Sequence, residues 1–166
     1  MKGAQATVAL VIGVAVALAL ASPAWNASSR MSVNWSPVVT ENPSNGDTIR
    51  LTGGGTFDPA ALSVNASGSF THYDSTGAVL ARGSWRSVDF VSFVEFGRLN
   101  NGLVGGILTI TVRFFAVPGP TTGIGPLTMT IDCEIGRGSE EDEGVDVGPF
   151  TENLPGFGTT VFHAGS

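Results

Sequence analysis

Side chains suited to proton transfer or nucleophilic attack are few in this chain: two histidines, one cysteine and one tyrosine in 166 residues, alongside 14 carboxylates. His72 stands in His72-Tyr73-Asp74, at the end of a strand pattern and just before a turn. A half-buried imidazole there can be tuned towards neutral pH and serve as a general base. The competing reading is a strand-end histidine with no catalytic role, and it is the simpler one. His163 lies close to the last residue, where chains fray. A Ser-His-Asp triad would have to use one of these two, and no G-x-S-x-G elbow accompanies either. Asp89 and Glu95 share a parity with Phe93 on an otherwise apolar strand. Pointing inward, they are acid–base candidates. Pointing outward, they guard a strand. His72, Glu95 and Asp89 are therefore the catalytic candidates.

Other chemistry is narrowed by what the chain lacks. Lys2 is the only lysine, so Schiff-base, lysine-bound cofactor and phosphate-loop chemistry have no residue to use. The single cysteine, Cys133, forbids an internal disulfide. Alternation places it with Leu127, Met129 and Ile131, where a thiol behaves as a small buried hydrophobe. The acidic stretch Ser139 to Asp146 offers carboxylate oxygens to calcium. It lacks the alternating Asp/Asn spacing and fixed glycine of a calcium loop, and reads as a solvated acidic segment. No metal site and no cofactor are predicted. The formal charge of −6 gives no basic groove, so nucleic acid is not an expected partner.

The elements that must position these residues are strands. Between Asp47 and Arg86 three period-2 segments follow one another. Their apolar faces read Ile49, Leu51, Gly53, Gly55, Phe57, then Val64, Ala66, Gly68, Phe70, His72, then Val79, Ala81, Gly83, Trp85. The opposite faces are polar, as in an antiparallel sheet with one solvated side. Asp58-Pro59-Ala60-Ala61 and Asp74-Ser75-Thr76-Gly77 carry turn chemistry. With four-residue loops at both, Gly53 faces Gly68, Gly68 faces Gly83, and Phe70 lies between Leu51 and Ala81. Glycine inside a strand costs stability and marks a steric need. Here it lets large rings lie across a curved sheet. Phe57, Phe70 and Trp85 then form an inner face, either as plain core or as the lining of a ligand pocket in a barrel mouth.

Val88 to Phe96 has apolar residues on both parities, which calls for a register-shifting bulge or for cover on both sides. Gly105 to Phe115, Gly125 to Ile135 and Gly158 to His163 read as further strands. The stretch Gly136 to Gly158 has no clear period. Its Phe150, Leu154 and Phe157 are expected to fold back over Val91 and Phe93, which favours a monomer over a homodimer. The whole reads as all-β: an antiparallel meander of seven or eight strands in an up-and-down barrel, or alternatively a two-sheet sandwich.

A single positive charge, Lys2, precedes an apolar run from Ala4 to Ala21 and the small residues Ala19-Leu20-Ala21 and Ser22-Pro23-Ala24. That is the pattern of a signal peptide helix over residues 1–24; the alternative is an uncleaved membrane anchor. Residues 25–46 read as a polar lead-in with one short strand at Val33 to Val39, and residues 47–163 as a single β domain. The expected location is secreted or extracytoplasmic. Asn26, Asn34 and Asn65 head glycosylation triplets that matter only in a host that uses them.

In style the chain resembles small ligand-holding barrels such as lipocalins and avidins; none of their signature motifs is present, so no residue role is carried over. The expected function is a non-enzymatic exported barrel that binds a small apolar ligand or a surface partner. The alternatives are a cyclase- or isomerase-type enzyme on the same scaffold, and a structural or adhesive surface protein.

Overall fold

The computed structural model describes residues 30–117, 123–135, 143–155 and 158–165. The expected signal segment, Asn26 and Phe157 lie outside the described residues. Within them the chain is all-β and antiparallel, with no helix. Nine strands occur there: β1 Met31–Glu41, β2 Thr48–Asp58, β3 Ser63–Tyr73, β4 Val79–Arg98, β5 Leu103–Val117, β6 Ile124–Cys133, β7 Gly144–Val147, β8 Glu152–Asn153 and β9 Thr160–Ala164.

Neighbours in sequence pair in space from β1 to β7, as a meander requires. The last strand then closes the sheet. β9 pairs with Met31 to Trp35 of β1 on one side and with Leu103 and Val104 of β5 on the other. The hydrogen-bonded path β1-β2-β3-β4-β5-β9 returns to β1 as a ring of six strands. β6 and β7 continue outward from β5, and β8 pairs with Thr40 and Glu41 of β1. The stretch read as a polar lead-in thus contains β1, a longer strand than Val33 to Val39 and one that sits inside the ring. Its Val33 is wholly buried.

Local chemistry accounts for the first hairpins. Asp58 Oδ1 accepts from the amides of Ala60 and Ala61, which caps the β2–β3 turn. The four-residue loop follows, and the register sets Gly53 opposite Gly68 and Leu51 opposite Phe70, as expected. Asp74 Oδ1 accepts from the amides of Thr76 and Ala78, and Gly77 takes φ +86°, a conformation glycine adopts freely. The β3–β4 loop is one residue longer than expected, because Tyr73 pairs with Val79. A second extra residue enters at Leu80, so His72 pairs with Ala81. Two one-residue shifts restore the parity, and the inner face survives. The rows move, however. Gly68 faces Trp85, and Gly83 faces Phe70, so the predicted three-glycine row does not form.

The row that does form is Trp35, Gly53, Gly68, Trp85, across β1 to β4. The two indoles lie over the two glycines and stack on each other, with centroids 5.4 Å apart and planes 12° off parallel. A Cβ on Gly53 would stand 2.3 Å from Trp85 and 2.6 Å from Trp35. Trp85 Nε1 donates to the Thr52 carbonyl at 3.0 Å, so its one polar atom is satisfied inside the core. Removing a ring of this size from water contributes about 1.5–3 kcal/mol.

β4 resolves the two-parity puzzle by bulging. Its pairing with β5 slips between Ser87 and Asp89, between Phe90 and Ser92, and between Glu95 and Gly97. Each slip flips the side-chain parity. Phe90 and Phe93, which strict alternation would separate, both pack on Phe57. Val88, Val91 and Val94 are left exposed. Of the segment expected to cover Val91 and Phe93, the described residues Leu154 and Phe150 go elsewhere: the Leu154 amide bonds to the Val39 carbonyl, and Phe150 lies against His72.

Candidate functional site

The interior has a filled end and an open end. At the filled end Phe57 is 2% exposed and meets Phe93 at 5.0 Å and Phe162 at 5.8 Å. Trp85, 1% exposed, fills the middle. Of the three rings expected to line a ligand pocket, Phe57 and Trp85 therefore sit in packed core, Phe57 touching only the floor of a polar surface hollow of about 250 Å³ edged by Arg30, Asp58 and Asn65. Phe70 borders an apolar space.

That space is a half-open cavity of about 130 Å³ at the other end of the strands. Phe70 and Phe114 form one wall, edge to face with centroids 5.0 Å apart. Ile49, Leu127 and Val147 come from β2, β6 and β7. Ala81 and Ala116 leave the room that larger residues would fill. Phe150 lines the cavity too, held by a bridge to Val147 and by the bond from the Thr151 amide to the Glu41 carbonyl.

Among the described residues, His72 is the only one of the lining whose side chain can hydrogen-bond. Its register partner on β2 is Ile49 and on β4 Ala81, the residue that four-residue loops would have set beside Phe70. His72 Nε2 lies 3.4 Å from Asp47 Oδ2, and Phe150 stands edge-on to the imidazole at 5.3 Å. Nε2 is buried and has no aligned hydrogen bond among the described residues, and the Asp47 carboxylate is the charged group beside it. Asp47 was missed from sequence, although a signal was available. It shares the inner parity with Ile49, which faces His72, and diagonal cross-strand neighbours are within side-chain reach.

The other candidates are dispersed. Glu95 is exposed and accepts from Arg98 at 3.2 and 3.0 Å, an interaction that raises the arginine's affinity for its proton. Asp89 is exposed on a bulge whose amide bonds to Thr111. Neither reaches the cavity. His163 is exposed on β9. Cys133 is wholly buried, and desolvation pushes its thiol up from the ordinary value, which suits a packing role. Within the acidic stretch, the described residues Glu143 and Asp146 take structural roles. Glu143 accepts from the Thr160 hydroxyl at 3.0 Å, and Asp146 accepts from Asn153 at 2.9 Å. No cluster of three metal-ligating side chains occurs among the described residues. Asn34 and Asn65 are exposed on β1 and β3.

Compared with known proteins, the chain matches no family model, no curated protein and no solved structure, so its chemistry has to be read from this geometry.

Proposed function

We propose that this chain is an exported, non-enzymatic domain whose six-strand ring works as a small up-and-down barrel and binds a small apolar ligand at its open end. The observation that carries the reading is the apolar cavity of about 130 Å³ with a single hydrogen-bonding side chain among the described residues of its lining. Ligand sites have this composition: mostly hydrophobic walls and a few polar groups that orient the guest. The volume is close to that of an engineered cavity that takes up benzene, about 150 Å³. The ligand, or the part of it that enters, is one ring or a short branched chain. Export is supported by the Lys2-led apolar run; with one cysteine and no disulfide, the exported fold is held by packing alone. The acidic composition argues against nucleic acid as a partner. A monomer is the working state, because Phe93, the anchor an interface would need, packs on Phe57 and Phe162. Sedimentation at rising concentration tests that point, and a symmetric dimer at micromolar protein would refute it.

Titration with toluene, followed by methyl NMR, tests the pocket. The resonances of Ile49, Leu127 and Val147 should shift, while those of Val33 and Leu51 stay. Shifts spread evenly over the core, or none at saturating toluene, would sink the reading.

One observation favours a second reading, an isomerase- or cyclase-type enzyme: the cavity holds His72 backed by Asp47, an orientation that suits a general base. Glu95 and Asp89 do not contribute to it. Ligand turnover abolished by His72→Gln would establish this alternative.

A further inference from the structure

The chemistry of the guest follows from the way His72 is held, granted that the cavity is a ligand site. The imidazole is pinned on two sides. Phe150 meets its ring edge to face, with planes 83° apart. Nε2 is buried, and the carboxylate of Asp47 is 3.4 Å away. An anion beside one ring nitrogen holds the proton on that nitrogen and leaves the other as a lone-pair acceptor. The acceptor is then Nδ1; Nε2, the nitrogen beside Asp47, is the one buried without an aligned partner among the described residues. Among the described residues the lining thus offers apolar walls and the imidazole as its one hydrogen-bonding side chain. Among the described residues it also has no cation that could balance an anionic guest, while Asp47 stands behind the histidine to repel one.

We infer that the pocket selects small neutral molecules that combine an aromatic or branched-aliphatic body with one hydroxyl, and that the hydroxyl donates to His72 Nδ1. The body lies against Phe70 and Phe114, whose edge-to-face pair offers a ring both a face and an edge. A purely apolar guest of equal shape leaves the acceptor unpaired at the cavity wall. A hydroxyl in a purely apolar pocket would lose its own hydration without replacement. The two cases predict opposite preferences between isosteres, which makes the inference testable.

The probes are p-cresol and p-xylene, which differ only by a hydroxyl in place of a methyl. Binding to the full chain is measured by methyl NMR titration, with ¹⁵N spectra of the imidazole recorded alongside. The expected result is p-cresol binding about 3- to 10-fold more tightly than p-xylene, from one neutral hydrogen bond. The ¹⁵N spectra should show the Nε2–H tautomer in the free protein and a shift of Nδ1 on p-cresol binding. His72→Phe should reverse the preference. Should that variant fail to fold, Asp47→Asn serves, and should shrink the preference by releasing the tautomer. If p-xylene binds as well as or better than p-cresol, or if Nδ1 carries the proton, the inference is overturned while the pocket stands. If neither probe binds, the pocket reading falls with it.

Discussion

At one end of the ring Phe57, Phe90, Phe93 and Phe162 close on each other; at the other Phe70, Phe114 and Phe150 stand around a space. Both ends are rich in aromatic rings, so aromatic content does not decide which becomes a pocket. The partners of the rings decide it. In the middle the room left by Gly53 and Gly68 is taken by two indoles. At the filled end the bulges in β4 bring two further phenylalanines inward. At the open end Ala81 and Ala116 leave room that no neighbouring ring enters. A small residue opposite a large one is a packing device when the large one lies over it, and a cavity when it does not.

The largest expected effect lies in the packed middle. Trp85→Ala should cost about 3–5 kcal/mol, because it empties a closed site and removes the indole donor from the Thr52 carbonyl. Phe150→Ala, at the half-open end, should cost about 1 kcal/mol. Urea denaturation measures both, and equal losses would erase the distinction between the two ends.

Gly68→Ala comes next. Its Cβ would stand 1.8 Å from the Thr52 carbonyl and 2.6 Å from Trp85 Nε1, and a backbone neighbour cannot turn away. An overpacking loss of about 1–3 kcal/mol is expected in the same denaturation experiment. A neutral outcome would mean that the indole does not lie over that strand.

Ala81→Leu sharpens the comparison from the other side. The added methyls enter existing space, so stability should change by less than about 1 kcal/mol, within the spread seen for substitutions that meet no obstacle. Toluene binding should disappear. Retained binding with the same methyl shifts would place the ligand elsewhere.

The smallest effect concerns Asp146. Burial pushes its carboxyl up, and the bond from Asn153 only partly offsets this. The folded state therefore holds this proton to higher pH than the unfolded chain. The resulting stability is complete below the unfolded value and is lost as pH rises through the raised folded one. Above that, the half-buried charge weakens the fold. Asp146→Asn keeps an acceptor for Asn153 and should raise the melting temperature slightly at pH 7, with no gain at pH 3. A gain of equal size at both pH values would show that ionisation is not the cause.

Alternation of apolar and polar residues was enough to assign the inner face of β2 and β3, to pair Gly53 with Gly68, and to put His72 on the interior side. These are local matters: a pleat with period two and a turn capped by Asp58 depend on residues near one another in the chain. The three-glycine row was out of reach for a physical reason. A register displaced by two residues keeps every side chain on its face, so hydrophobic pattern cannot distinguish Gly68 facing Gly83 from Gly68 facing Trp85. The inward turn of Phe90 and Phe93 together, the return of β9 to close β5 onto β1, and the gap left between Ala81 and Ala116 depend on segments far apart in sequence. The chain itself determined an antiparallel all-β fold with one aromatic face. Only tertiary packing decided which of those aromatics fill the interior and that His72 stands, backed by Asp47, at a cavity.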